Sequence, residues 1–387
     1  MCISNRIGPP VEGDNFYGRS KEIALANRLL DSMHSLLLSA PRRIGKSSLA
    51  KKLIQEKQTQ GWRCVYIDLE EISTEQGFLK LMIEALEKGG VWKQITGTVS
   101  QEIKTIRERV EKISIGPVGV NLTPRANDEN LYNDLKELIQ HDKDTFIVVD
   151  ELSLFLGNLL RSDENNAKVK FILNWLRSLR QVSQTKVRWL FCGSVGLKNF
   201  TSALNLGYTV NDLTEFSLDE LNREEAYGLL SSLCRSESIG YSDDIIHYAL
   251  DKLYWNIPYF IQVLFSKLVE MNCKDIDKKA IDIAYRQLCS DSYLRTWSER
   301  LSEYRELEIP ARKILKTLSQ KPEGLKRDVL LSVLMSGENP SQVELVDLQL
   351  SRVLDMLEND GYLIKTESIR TFRSPLLRDY WYERYVQ

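Results

Sequence analysis

Residues 36–50 read LLLSAPRRIGKSSLA. A short apolar run, bounded by Pro41, gives way at Gly45-Lys46-Ser47 to a stretch with helical character that continues to about residue 60. A loop between a buried strand and a helix is a ready-made polyphosphate site. Backbone N–H groups and the helix N-terminus face the anion, a lysine bridges phosphates and a hydroxyl serves a magnesium ion. Gly45, Lys46 and Ser47 supply those parts, with Pro41, Arg42, Arg43 and Ile44 forming the loop and Ser48 following it. Ala40 stands where the pattern G-x-x-x-x-G-K-S/T has its first glycine. The assignment therefore rests on strand and helix context, against the alternative of a chance GKS at a helix start.

Outward from this loop the chain alternates. Residues 20–34 have helical spacing, 63–69 (RCVYIDL) suit an inner strand of a parallel sheet, and 75–88 read as helix. Residues 129–141 return to helix, 146–152 (FIVVDEL) form an apolar strand ending in two acids, and 167–181 are a long amphipathic helix. Residues 187–194 (VRWLFCGS) form another buried strand. That order predicts an α/β core with a parallel sheet. A charged stretch leading into SIGPVGVNLTP predicts a small β insertion at about 112–125.

The acids matter chemically. In open α/β sheets ligands bind at the carboxyl ends of the strands, where Asp150 and Glu151 fall. Asp150 is the candidate metal partner, with Ser47, and Glu151 the candidate general base. The alternative is a solvated strand end. Ser194, at the exit of the next strand, reads either as a γ-phosphate sensor or as a tight turn. Tyr17-Gly18-Arg19 reads either as a segment folded over adenine or as a staple before a helix cap at Ser20. Pro258 opens a later helix, as its fixed φ allows. Arg177 and Arg180 share a helix face, as arginine fingers or as a solvated surface, with the surface favoured. Trp175, Trp189, Trp297 and Trp381 are expected as core bulk.

From about 216 strands vanish, and four segments carry 3.6-residue periodicity up to about 300. The last stretch shows three short helices and two alternating strands around Gly361, a winged-helix pattern. The predicted fold is thus an α/β core of the P-loop type over 1–215, an all-α lid over 216–300 and a winged helix over 301–387.

The 387 residues include 52 Lys+Arg and 54 Asp+Glu, so no blanket attraction to nucleic acid is expected. Three His leave little raw material for a His-rich metal site, and none of the six scattered Cys shows the CxxC spacing of a zinc or redox site. The N-terminus lacks a signal-peptide apolar core, and no apolar run is long enough for a bilayer. The expectation is a cytoplasmic location and no membrane partner.

The segments VEGDNFYGRSKEI, LLLSAPRRIGKSSLA, FIVVDEL, FILNWLRSLRQ, FCGS, WNIPYFIQ and FRSPLLRDYW occur in an order that resembles the archaeal-type and bacterial AAA-like ATPases of the STAND group. The resemblance spans almost the whole chain. It implies an ATPase core with a helical lid and a winged helix, and ATP and Mg2+ as ligands. It also implies Lys46 and Ser47 on phosphates and Mg2+, Asp150 on Mg2+, Glu151 as base, Ser194 as sensor and Pro258 near adenine. Asn256 stands where the lid's Gly-x-Pro motif has glycine.

Winged helices often read DNA, which gives a runner-up: an initiator- or transposition-regulator-like ATPase. Residues 308–387, however, carry as many Asp+Glu as Lys+Arg. The expected recognition helix at 341–359 holds Glu344, Asp347, Asp355 and Glu358 against Arg352 alone. Phosphate neutralisation drives DNA affinity, so DNA is disfavoured, although Lys365, Arg370 and Arg373 lie on the wing. The favoured reading is an ATP-hydrolysing switch, slow because no cis arginine finger stands out, that assembles as a homo-oligomer or with a protein effector. A scaffold in which nucleotide is only structural is the third alternative.

Overall fold

The computed structural model describes residues 3–91, 108, 126–140, 143–161, 163, 165–193, 196–336 and 339–386. The chain divides into two compact units, Ser20–Ser39 with Lys46–Leu218, and Met1–Arg19 with Ala40–Gly45 and Asp219–Gln387.

The first unit is α/β. Its helices are α1 (Ser20–Asp31), α2 (Lys46–Thr59), α3 (Glu75–Lys88), α4 (Ala126–Ile139), α5 (Leu152–Leu160), α6 (Ala167–Arg180) and α7 (Leu197–Ala203). Its strands are β1 (Leu36–Ser39), β2 (Arg63–Asp68), β3 (Thr145–Asp150), β4 (Val187–Gly193) and β5 (Thr214–Phe216). They form one parallel sheet in the order β2-β3-β4-β1-β5. Every residue of β3 and β4 is buried, as apolar runs covered on both faces require. Helices α2 and α3 pack on β2, and α5 and α6 on β4. Phe78 stacks on Phe155 at 5.1 Å between centroids and meets Trp175 edge-on at 6.2 Å, which ties α3, α5 and α6 into one core.

Two expectations change here. RCVYIDL is not an inner strand: among the described residues β2 is the sheet edge. Its neighbour on one side is β3, and α2 and α3 supply the burial that its apolar composition requires. Arg180 is neither a solvated residue nor a projecting finger. It forms a two-point ion pair with Asp212, Nε to Oδ2 at 2.7 Å and Nη2 to Oδ1 at 2.9 Å, and lies over the Phe191 ring. The insertion expected at 112–125 lies outside the described residues. Trp175, Trp189, Trp297 and Trp381 are all buried, as expected of core bulk.

The second unit holds the helical segment and the winged helix. Helices α8 (Arg223–Ser236), α9 (Asp243–Leu253), α10 (Pro258–Glu270) and α11 (Lys278–Ser290) follow the four periodic segments. A capping box starts α8: Asn222 accepts from Glu225 N, and Glu225 accepts from Asn222 N. After α12 (Arg295–Arg300) come α13 (Glu308–Ser319), β6 (Leu325–Lys326), α14 (Arg327–Met335), α15 (Val343–Asn359), β7 (Leu363–Thr366) and β8 (Ile369–Phe372). The sheet β6-β8-β7 is antiparallel. A further helix, α16 (Pro375–Tyr385), follows the wing. It buries Leu376, Leu377, Tyr380 and Trp381 and packs on α11 and α13. A chain of rings, Trp255 to Trp297 to Tyr362 to Trp381, runs from the helical segment into the winged helix with centroid spacings of 6.0, 5.3 and 5.9 Å. No helix among the described residues is long and apolar enough to cross a membrane.

Candidate phosphate and metal site

In the α/β unit the register brings strand ends to one edge. Ser39 lies beside Gly193, Val149 beside Phe191, and Asp68 beside Asp150. Lys46 opens α2 and is buried, and Ser47 follows it on the first turn. Asp150 is buried at the tip of β3. Its Oδ2 accepts from Tyr66 Oη at 2.6 Å, and its Oδ1 accepts from Glu151 N at 3.1 Å. A carboxylate offers about four lone-pair positions, so capacity remains for a cation or its water shell. Glu151 sits at φ 54°, ψ 34°, the left-handed cap that turns the chain from β3 into α5.

The electrostatics mark this edge as acidic, with a lysine charge among the acids. Burial raises the Cys192 thiol well above its usual pKa; the Asp150 and Glu151 charges add to the rise and Lys46 opposes it. Cys192 therefore lies within electrostatic reach of all three. Asp68 is raised by burial and then by Asp150 and Glu151, against a backbone N–H from Glu70 and the charge of Lys51. Lys51 Nζ lies 5.5 Å from the centre of the Tyr66 ring. Burial first, and then Asp150, raises Tyr66, so its hydroxyl stays a proton donor to that carboxylate. Neither Tyr66 nor Lys51 is marked by any motif. The pairing of β2 with β3, which sets Asp68 beside Asp150, is what brings Tyr66 to that carboxylate.

Among the described residues no group of three or more His, Cys, Asp or Glu is arranged to hold a metal by itself. Magnesium is usually held by one or two protein oxygens, with the rest supplied by phosphates and water. Ser47 and Asp150 are oxygen donors of this kind. Ser194 lies outside the described residues.

The loop itself, Ala40–Gly45, belongs to the second unit. Gly45 has φ +106°, and a Cβ there would meet nothing within 4 Å, so backbone conformation is what requires glycine. Arg43 also has positive φ, at 65°. Its guanidinium lies over the Tyr259 ring at 4.9 Å, and its Nη1 donates to Gly8 O at 3.1 Å. Arg19 is buried. Its Nη2 donates to Ile44 O at 3.2 Å and its Nη1 to the carbonyls of Asp219 and Glu220. Arg19 N donates to Glu225 Oε1 at 2.7 Å. Tyr17 lies against Gly228, where a Cβ would fall 1.9 Å from the Tyr17 hydroxyl. Gly18, at φ +71°, faces Glu225. The Tyr17-Gly18-Arg19 segment is thus bound to the start of α8 as well as to the loop.

Pro41 touches the winged helix. A Cβ on Gly361 would lie 2.7 Å from Pro41 Cβ and 2.7 Å from the Trp255 ring. The turn carrying Gly361 is anchored on both sides. Tyr304 Oη donates to Asp360 Oδ2 at 2.8 Å, and Tyr362 Oη donates to Trp297 O at 2.5 Å. Arg42 acts electrostatically on both Tyr362 and Tyr259. Pro258 is the first residue of α10, capped by Ile257, and Asn256 O accepts from Leu221 N at 3.1 Å. On the wing, Arg370 pairs with Glu358 at 3.2 Å and Arg373 stacks on Trp255 at 5.3 Å, while Lys365 is exposed.

Residues 31–200 match the family model described as AAA domain. In fold the chain is similar to the Walker-type ATPase paby2304 of Pyrococcus abyssi, with a TM-score of 0.64 and 17% identity over 97% of this chain and 99% of that one. It is also similar to the Aeropyrum pernix ORC2 protein, solved as ADPNP-ADP complexes, with a TM-score of 0.50 and 13% identity over 97% and 95%. No curated protein sequence matches the chain. A five-stranded parallel sheet of P-loop order, followed by a helical lid and a winged helix, is the shared architecture. The sequence likeness to the AAA domain model is confined to residues 31–200, and the likeness to the two solved structures is one of fold.

Proposed function

We propose that this protein is an ATP-binding and ATP-hydrolysing molecular switch of the STAND type, in which nucleotide state controls the lid and winged helix and, through them, assembly with a protein partner. One observation carries the reading. The loop residue Pro41 lies against Gly361 and the carbonyl of Ile44 accepts from Arg19, all in the compact unit that contains the lid helices and the winged helix. A loop that shifts on binding a triphosphate would disturb those contacts directly, which is the differential interaction that a switch requires.

Each residue then has a task. Gly45 lets the backbone approach the phosphates, and Lys46 neutralises them at the start of α2. Ser47 and Asp150 hold magnesium, which when bound with ATP offsets the charge of the phosphates. Tyr66 fixes the Asp150 carboxylate. Glu151 orients the attacking water and accepts its proton. Ser48, Arg42 and Arg43 complete the loop, Ser194 senses the γ-phosphate, and Tyr17, Gly18 and Pro258 border the base. Turnover is slow, because Arg180 is committed to Asp212 and no other cis arginine stands out in the sequence. The DNA-handling alternative is weakened by the pairing of Arg370 with Glu358.

The test is nucleotide binding and turnover. Lys46→Ala is expected to abolish binding. Glu151→Gln is expected to bind ATP, fail to hydrolyse it and accumulate the ATP-bound form with any partner in a pull-down. Wild-type protein that binds no nucleotide, or Lys46→Ala protein that binds equally well, rejects the reading. A Glu151→Gln form with unchanged function supports the structural-nucleotide scaffold instead.

A further inference from the structure

The recognition helix of the winged-helix domain has two apolar faces. One packs inward through Val346, Leu350, Val353, Leu354 and Leu357. The other leaves Leu345 and Leu348 exposed at 65% and 53%. Spaced by three, they share a helix face, and Arg352 follows one turn on. Across from them the start of α13 presents Ile309, 78% exposed. Together they line a groove of about 430 Å³, with Glu306, Lys313 and Arg352 among its charged residues. Three of the twelve large apolar side chains exposed among the described residues thus meet in one place. Single exposed apolar residues are ordinary, whereas a contiguous set rimmed by charge marks a binding surface.

The composition of the groove selects its occupant. A DNA duplex is disfavoured because α15 offers leucines flanked by Glu344 and Asp355 where basic side chains would be needed. A partner of strongly single-signed charge is not selected, because the rim carries both signs. Charges of both signs around an apolar centre are what a two-fold contact needs: the patch must complement itself, residue i meeting j and j meeting i. We infer that this groove is an isologous self-association surface, in which the Leu345–Leu348 ridge of each copy enters the groove of the other and Arg352 or Lys313 of one faces Glu306 of the second. The inference rests on the winged-helix domain alone and stands whether or not the nucleotide switch does.

Sedimentation velocity of the full chain without nucleotide, over about 1 to 100 µM, tests it, since a contact of this modest size belongs in the micromolar range. A concentration-dependent dimer is expected, weakened at least about tenfold by Leu345→Glu or Leu348→Glu, with unchanged far-UV circular dichroism. Arg352→Glu alone should weaken the dimer, and Arg352→Glu combined with Glu306→Arg in the same chain should restore it. A monomer throughout, or a dimer indifferent to both leucine variants, overturns the inference. A dimer broken by the single reversal and not restored by the double one overturns the two-fold geometry. Persistence of a dimer in Leu345→Glu protein that has kept its fold would likewise place the interface elsewhere.

Discussion

Arg19 reaches the loop before Gly-Lys-Ser: its Nη2 donates to the carbonyl of Ile44 at 3.2 Å, while its Nη1 holds the carbonyls of Asp219 and Glu220. One buried guanidinium therefore links the loop to the chain that leads into α8. The planar fork of arginine makes this geometry available in a way that a lysine ammonium does not.

Arg19→Ala should weaken nucleotide binding by about tenfold and lower stability by about 1–3 kcal/mol, because buried carbonyls lose their donor. Arg19→Lys should rescue little of either. Titration with a fluorescent nucleotide and thermal unfolding measure the two effects, and an unchanged affinity in folded Arg19→Ala protein would show that the loop does not need this tether.

Gly361→Ala should disturb the loop from the winged-helix side. At φ +85° the position disfavours a side chain, and the new methyl would meet Pro41 and Trp255. The expected cost is about 1–3 kcal/mol, together with a loss of nucleotide affinity. Gly324→Ala is the control. It is also at positive φ, +79°, but its methyl would meet Thr371 and Ile369 of the wing. It should lower stability and leave nucleotide affinity alone. Equal affinity losses in both variants would argue that general destabilisation, not loop displacement, is responsible.

Tyr66→Phe removes the hydroxyl that donates to Asp150 at 2.6 Å. Outer partners of metal ligands typically contribute about 10–100-fold to metal affinity or activity. The magnesium concentration that half-saturates hydrolysis should rise by about tenfold, with ATP binding in excess magnesium little changed. A magnesium curve that superimposes on wild type would remove Tyr66 from the site.

Asp212 gives a pH signature. Burial alone would raise its carboxyl, but the two hydrogen bonds from Arg180 outweigh that and hold it below the usual value of 3.8. A carboxylate depressed in the folded state binds fewer protons there than in the unfolded chain. Its stabilisation is therefore present above the unfolded pKa and is lost as pH falls through the folded one. Asp212→Asn should cost about 1–3 kcal/mol near neutrality, since it strips Arg180 of its charge partner. The gap between variant and wild type should narrow below about pH 4. Urea unfolding at a series of pH values reads this directly; a gap that is constant with pH would assign the cost to packing.

The sequence by itself determined what is local. An apolar run, a loop ending Gly-Lys-Ser and a helix imply their own backbone geometry, because burial periodicity and phosphate chemistry act over a few residues. The same holds for the four lid helices and for the wing around Gly361. Tertiary structure decided what depends on which strands become neighbours. The apolar content of RCVYIDL could not tell an inner strand from an edge strand covered by helices, and only the strand order places Tyr66 against Asp150. Arg180 looked like a surface residue because its helix spacing is amphipathic, whereas Asp212, its counter-ion, lies beyond the next strand. The contact of Gly361 with Pro41 joins residues more distant still. Such pairings are set by the packing of whole elements, and no window of sequence contains both partners.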